Sequence, residues 1–317
     1  MILVDPGVFI GAVTDLTEPA LAEAAVTHIL SVDSEEPVLS GGQFTRKFLR
    51  LQDEPTSDLL SHLDQCLAFI LDATVTNATS TTLTKTATVL VHCHAGRSRS
   101  AAVVTAYLMR RHQLSFQEAY CRLQQAAPSV EVNQGFQEQL GLYESMGCQL
   151  DTNSPLYKQY RLQKITEKYP ELRSVPREVF VADPPAQGSA PAQGSAPAQG
   201  SAPNCPETTY RCRKCRRTLF RESSLLSHPI GGGASSFSYR KCLPPGGGDQ
   251  SRCTSYFIEP VQWMEQALLG VMDGQLLCPK CSSKLGSFSW CGDRCSCGQW
   301  VTPAFQVHQA RVDRITR

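Results

Sequence analysis

The sequence has no apolar run approaching the length of a membrane span, and Met1 is followed by no basic region with a long apolar stretch. A spanning helix needs about 20 consecutive apolar residues and an export leader needs that basic-then-apolar order, so the chain is expected to be soluble and intracellular, with no membrane partner. Net charge is just as scarce. Thirty Lys and Arg stand against 29 Asp and Glu, which leaves +1 and no whole-chain attraction to a polyanion. The balance hides an uneven division: from Asn204 onward fifteen basic residues face eight acidic ones, whereas the first 203 residues carry fifteen against twenty-one. A basic module joined to an acidic one implies different partners for the two. Between Pro185 and Pro203, aromatic and branched apolar side chains are missing altogether, and Pro-Ala-Gln-Gly-Ser-Ala is repeated three times. Such a segment has nothing to bury against its ordering entropy, and its period is too short for a solenoid unit. It reads as a tether.

What is present before that tether alternates in the α/β manner. Short apolar runs at Val8 to Ile10, His28 to Val32, Lys47 to Leu51 and Ala87 to His92 read as strands. Leu59, Leu60, Leu63, Leu67, Ile70 and Leu71 recur at helical spacing. Ser115 and Glu118 make a capping box, Asn133 can cap a helix carrying Phe136, Leu140 and Tyr143, and Ser154-Pro155 opens a last helix leading away from the domain. The Thr-rich stretch from Thr74 to Thr88 reads as a surface loop.

The stretch from Val89 to Ser100 is Val-Leu-Val-His-Cys-His-Ala-Gly-Arg-Ser-Arg-Ser. An apolar strand delivers Cys93, a short loop turns, and Ala101 to Met109 read as the first turns of a helix. Backbone N–H groups at such a helix start converge on an anion, so His94, Ala95, Gly96, Arg97, Ser98 and Arg99 are expected to bind phosphate. Gly96 lets the loop close, and the Arg99 guanidinium can hold two oxygens at once. The same field favours a thiolate at Cys93, which makes it a nucleophile, and Ser100 can steady that sulfur with a hydrogen bond. His92 reads as an ordering residue of the loop. Cleaving a phosphate ester also needs a general acid, for which Asp53 is the candidate, with Glu54 and Asp58 as alternatives. No metal is needed for this chemistry.

Fourteen cysteines would suit a secreted disulfide scaffold, but the later ones are paired at metal-ligand spacing and Cys93 must be reduced to act. Two Cys-x2-Cys pairs, each followed by two more soft ligands, imply two closed, structural zinc sites. Chain order groups Cys212, Cys215, His228 and Cys253 at one ion and Cys278, Cys281, Cys295 and Cys297 at the other. Cys205, Cys242, Cys291 and His308 are substitutes. A helix-like pattern from Phe257 to Met272 would give the metals a core. Cys66, Cys121 and Cys148 read as ordinary residues of the first module, any of which could resolve an oxidised thiol if close to Cys93. Arg211, Arg213, Lys214, Arg216, Arg217 and Arg221 surround the first pair, either as a solvated face or as a contact for RNA or a ribonucleoprotein.

The pattern His-Cys-x5-Arg-Ser from His92 to Ser100 resembles the dual-specificity branch of the protein tyrosine phosphatases. The likeness continues through Asp33 to Pro37, Asp58 to Asp64, Tyr157 to Lys164 and Cys253 to Met264, and it points to the atypical members with a carboxyl-terminal zinc-binding domain. It implies an α/β catalytic domain with a central sheet flanked by helices over residues 1–150, and a helical extension over 151–183. A disordered linker over 184–204 and a small zinc-stabilised domain over 205–317 complete the chain. It further implies a phosphocysteine mechanism on phosphoprotein substrates at Ser, Thr and Tyr, with Asp53 where such enzymes carry their acid. A monomer in cytoplasm and nucleus, bound through the zinc module to a pre-ribosomal particle or RNA, is the remaining expectation. That role in ribosome assembly is the alternative to the enzyme reading.

Overall fold

Apolar runs too short for a helix and buried on both faces belong in a parallel sheet, and three of the first unit's strands are of this kind. The structure, a computed structural model, describes residues 1–38, 43–75, 87–168, 176–184, 208–228, 231 and 253–316. Contacts divide it into Met1–Thr152 and Asn153–Arg317. The repeat tether, Cys205, Cys242 and most of the Thr-rich stretch lie outside the described residues.

The first unit runs β1 (Ile2–Asp5), β2 (Val8–Ala12), α1 (Glu18–Glu23), β3 (His28–Asp33), β4 (Thr45–Arg50), α2 (Leu63–Val75), β5 (Val89–Cys93), α3 (Arg99–His112), α4 (Phe116–Ala126) and α5 (Gln134–Ser145). Sheet order is β1-β2-β5-β3-β4, antiparallel only between β1 and β2. Alternation along β5 sends Leu90 to the face where Leu21 of α1 and Ile29 pack. Val89, Val91 and Cys93 point the other way, toward the side where α3 packs on β5. From Arg99 to Met109 every residue of α3 is buried, because α2, α4 and α5 enclose it. The small side chains Ala101, Ala102 and Ala106 let those helices approach. Strand β1, unread in the sequence, is held by buried Asp5, which accepts from Tyr107 Oη at 3.0 Å and from Arg122 Nη2 at 2.7 Å.

The second unit opens with α6 (Pro155–Lys168) and continues through β6 (Thr209–Cys212), β7 (Thr218–Arg221), β8 (Leu225–Leu226), β9 (Ser255–Ile258), α7 (Glu265–Leu268), β10 (Asp273–Leu277), β11 (Lys284–Ser289), β12 (Asp293–Arg294), β13 (Trp300–Val301), β14 (Ala304–His308) and β15 (Val312–Ile315). Its sheets are β10-β11-β14-β9-β8, β15-β6-β7 and β12-β13, all antiparallel. Two expectations change here. The segment read as an extension over 151–183 is part of this unit, since Leu162, Val179 and Phe180 enter its core and Val181 pairs with Val261. The helix-like pattern from Phe257 to Met272 shrinks to the four residues of α7 after a tight turn. Phe257 belongs to β9, Pro260 follows it, and Gly270 adopts φ +73 beyond α7, so both ends are broken.

Candidate active site and metal centres

Strand β5 is buried throughout and ends at Cys93, whose sulfur accepts from Ser100 Oγ at 3.2 Å. The loop to α3 is closed by Gly96, at φ +69. A Cβ there would stand 2.8 Å from the Gly11 carbonyl oxygen, so both the dihedral and the contact with β2 require glycine. Val13 N–H donates to the His94 carbonyl at 3.2 Å and pins the loop to the end of β2. His92 is fully buried. Its Nδ1 lies 3.4 Å from the Cys93 carbonyl, which can only accept, so the proton sits on Nδ1 and Nε2 accepts from Ser31 Oγ at 2.7 Å. Burial lowers the His92 pKa and keeps the ring neutral.

Arg99, at the start of α3, donates from Nη1 to Asp33 Oδ1 at 2.6 Å and to the Leu51 carbonyl at 3.2 Å. Its buried Nε has no hydrogen-bond partner and lies 4.0 Å from Asp53 Oδ2. Asp53 is therefore beside the loop, as its place after β4 implies. Its Oδ1 accepts from Ser98 Oγ at 2.6 Å and from Asn133 Nδ2 at 2.7 Å. The loop carrying Asp53 is fixed from below by Gln139, whose Oε1 accepts from Leu59 and Leu60 N–H while its Nε2 donates to the Ser57 carbonyl. A side chain at Gly135 would overlap the Pro55 backbone. Asp33, Asn133, Gln139 and Gly135 are thus parts of the site that sequence reading missed as such. The helix-cap pattern at Asn133 was the one local signal among them.

Arg97 does not turn into the loop. It pairs with Glu131 at 2.8 Å and donates to the Ser129 carbonyl. Cys66 is buried and its thiol is pushed up to about 12, and burial also raises Cys148. Neither favours the thiolate that resolves an oxidised cysteine.

The cysteines of the second unit gather into two groups, and chain order does not predict them. Cys212, Cys215, Cys278 and Cys281 form one; His228, Cys253, Cys295 and Cys297 form the other, each with its donor atoms within 4.8 Å of one another. The sequential grouping is corrected for a geometric reason. Cys212 to Cys215 sits in the β6–β7 turn and Cys278 to Cys281 follows β10, and the two turns are built alike. Cys212 N–H donates to the Arg217 carbonyl and Arg216 N–H to the Cys212 carbonyl, just as Cys278 N–H donates to Ser283 and Ser282 N–H to Cys278. Arg216 and Ser282 occupy the same left-handed position, at φ +63 and +53. Two equal halves face each other across one site. The Cys295-x-Cys297 turn is shorter and joins His228 and Cys253, which flank the segment between β8 and β9.

Tetrahedral zinc with bonds of about 2.3 Å separates two sulfurs by roughly 3.8 Å. Cys212 and Cys281 are 3.8 Å apart and Cys215 and Cys278 are 3.5 Å apart, while Cys253 Sγ lies 3.7 Å from His228 Nε2. Both donor sets therefore fit a zinc ion, one as four thiolates and one as three thiolates and an imidazole. Of the substitutes, His308 is engaged with Ser255 Oγ and Cys291 is exposed, away from both groups. Three of the six residues of the basic run are matched with acids: Arg213 and Arg216 share Asp313 at 3.1 and 2.5 Å, and Arg217 meets Asp183 at 2.5 Å.

Residues 8–146 match the family model described as dual specificity phosphatase, catalytic domain. Over 99% of its length the chain is 51% identical to human dual specificity protein phosphatase 12, of which it covers 88%. It is 50% identical to the rat protein of that name over 98% of the chain, again covering 88%. Tyrosine-protein phosphatase YVH1 of Saccharomyces cerevisiae is 31% identical over 97% of the chain and covered to 90%. Among the described residues no helix is long and apolar enough to cross a membrane. By these likenesses, which run through both units, the chain belongs to the dual specificity protein phosphatases, enzymes that remove phosphate from tyrosine and from serine or threonine.

Proposed function

We propose that Cys93 is the nucleophile of this phosphatase, Asp53 its general acid and Arg99 its phosphate clamp. One observation carries the reading: the Cys93 sulfur lies at the start of α3, accepts from Ser100, and has Arg99 and Asp53 converging beside the same loop. In the first step Cys93 Sγ attacks phosphorus. An S–P bond forms, the ester P–O bond breaks, and its electron pair leaves on the oxygen, which takes the proton of Asp53. In the second, the Asp53 carboxylate draws a proton from water as the water oxygen attacks phosphorus. The S–P bond then breaks, returning its electron pair to a thiolate that Ser100 steadies. The loop amides from His94 to Arg99 and the guanidinium hold the non-bridging oxygens through both steps, which is the dominant electrostatic contribution in such reactions. Two zinc ions, one in each donor group, hold the second unit together and take no part in the chemistry. Full-length protein with Cys93→Ser or Asp53→Ala, used to trap phosphoproteins from a lysate, tests the reading. Retention of proteins phosphorylated on Ser or Thr as well as on Tyr supports it, and retention that vanadate cannot displace contradicts it.

A second reading concerns the carboxyl-terminal unit. The surplus of seven positive charges from Asn204 onward, with Arg213 and Arg216 each more than half exposed despite their shared partner, supports attachment to RNA or a pre-ribosomal particle in cytoplasm and nucleus. Sedimentation of the Cys93→Ser chain with particles, and its loss on neutralising Arg213, Lys214, Arg216 and Arg217, is the corresponding test.

A further inference from the structure

We propose that Asn133 is a positioning residue for the general acid, and that it fixes which oxygen of Asp53 gives up the proton. The inference rests on Asp53 being the acid. Asn133 is the N-cap of α5, and its two amide atoms have different duties. Oδ1 accepts from the Phe136 N–H at 2.9 Å, the usual capping bond, so the orientation of the amide is determined and Nδ2 must point the other way. There it donates to Asp53 Oδ1 at 2.7 Å. Ser98 Oγ donates to the same oxygen at 2.6 Å and itself accepts from the Asn133 N–H at 3.2 Å. Each of the three groups is thereby tied to the other two.

Two donors on one carboxylate oxygen leave it little basicity, because each bond would weaken on protonation. Oδ1 is the fixed oxygen. Oδ2 carries no such bond, lies 4.0 Å from Arg99 Nε, and is left to hold the proton that goes to the leaving group. The arrangement also couples the acid to the phosphate loop. Glu131 N–H donates to the Arg97 carbonyl at 2.9 Å, and Gly135 lies against Pro55 in the acid loop. The short segment from Glu131 to Gly135 thus joins the loop that holds phosphate to the loop that protonates its leaving group. A change of position in one is transmitted to the other through Asn133.

Asn133→Ser tests this without removing the cap, since a serine hydroxyl accepts the same N–H but is too short to reach Asp53. The full-length variant, the wild type, Asp53→Ala and the double variant are assayed with two esters. Phenyl phosphate needs its leaving oxygen protonated; 2,4-dinitrophenyl phosphate does not. Losing one of two charge-assisted bonds should lower kcat for phenyl phosphate about 10- to 100-fold and change it less than about 3-fold for the dinitrophenyl ester. In the Asp53→Ala background Asn133→Ser should have no further effect. An equal loss on both esters, or a loss that multiplies with that of Asp53→Ala, overturns the role of Asn133 and leaves the acid intact. If Asp53→Ala itself slows both esters equally, the assignment of the acid fails and this proposal with it. Unchanged kcat for phenyl phosphate in Asn133→Ser also overturns it.

Discussion

Arg99 Nη1 lies 2.6 Å from Asp33 Oδ1, and both side chains are less than a tenth exposed. The cation that would clamp phosphate is thus held by a buried carboxylate at the end of β3. Removing one member of a buried pair strands the other, at a cost of about 3–5 kcal/mol. Asp33→Ala should therefore lower the melting temperature of the catalytic unit clearly. Inorganic phosphate or vanadate should raise it more in the variant than in the wild type, because the anion then supplies the missing charge. Equal melting of variant and wild type would show that the pair contributes nothing to the folded loop.

The crossed metal groups give a stoichiometric prediction. Full-length protein with Cys212→Ser and Cys278→Ser together should lose one zinc ion of two, because both changes strike one site. Cys212→Ser with Cys253→Ser should lose both. Elemental analysis of reduced protein separates this from the sequential grouping, under which the first pair of changes would empty two sites and the second pair one.

Much of this was legible in the sequence, for local reasons. The signature from His92 to Ser100 is contiguous, and the strand, loop and helix it predicts are the ones that form. The capping residues Ser115 and Asn133 were readable because a cap acts within four residues of itself. Asp33 and Gln139 were not, since their roles depend on partners 66 and about 80 positions away, which only the sheet order and helix packing bring near. The zinc ligands show the same limit. The paired cysteines of both donor groups stand out by spacing, but spacing describes one turn at a time. Which turn faces which depends on packing between separate sheets, since the β6–β7 turn and the turn after β10 belong to different ones. Strand β1 escaped notice because four residues give too short an alternation, and it is secured by a polar network at Asp5.

His92 supplies a pH prediction whose sign follows from its lowered pKa. An unfolded chain takes up a proton on this ring near pH 6.5, whereas the buried ring in the folded protein resists it. Below that pH the unfolded state binds more protons, so this contribution to stability is complete above about pH 6.5 and is lost on acidification. His28, also lowered by burial, acts in the same direction. Chemical denaturation of wild type and His92→Gln between pH 5 and 7.5 should give a shallower dependence in the variant. Parallel curves would mean that His92 is not the neutral, buried group described.

The covalent role of Cys93 is tested most directly by catching the intermediate. Enzyme mixed with an aryl phosphate, quenched during turnover and digested, should carry a phosphoryl group on the peptide containing Cys93. Cys93→Ser protein treated alike should carry none and should release no phenol. A wild-type enzyme that turns over without ever holding phosphate on Cys93, or a Cys93→Ser protein that retains activity, would contradict the account.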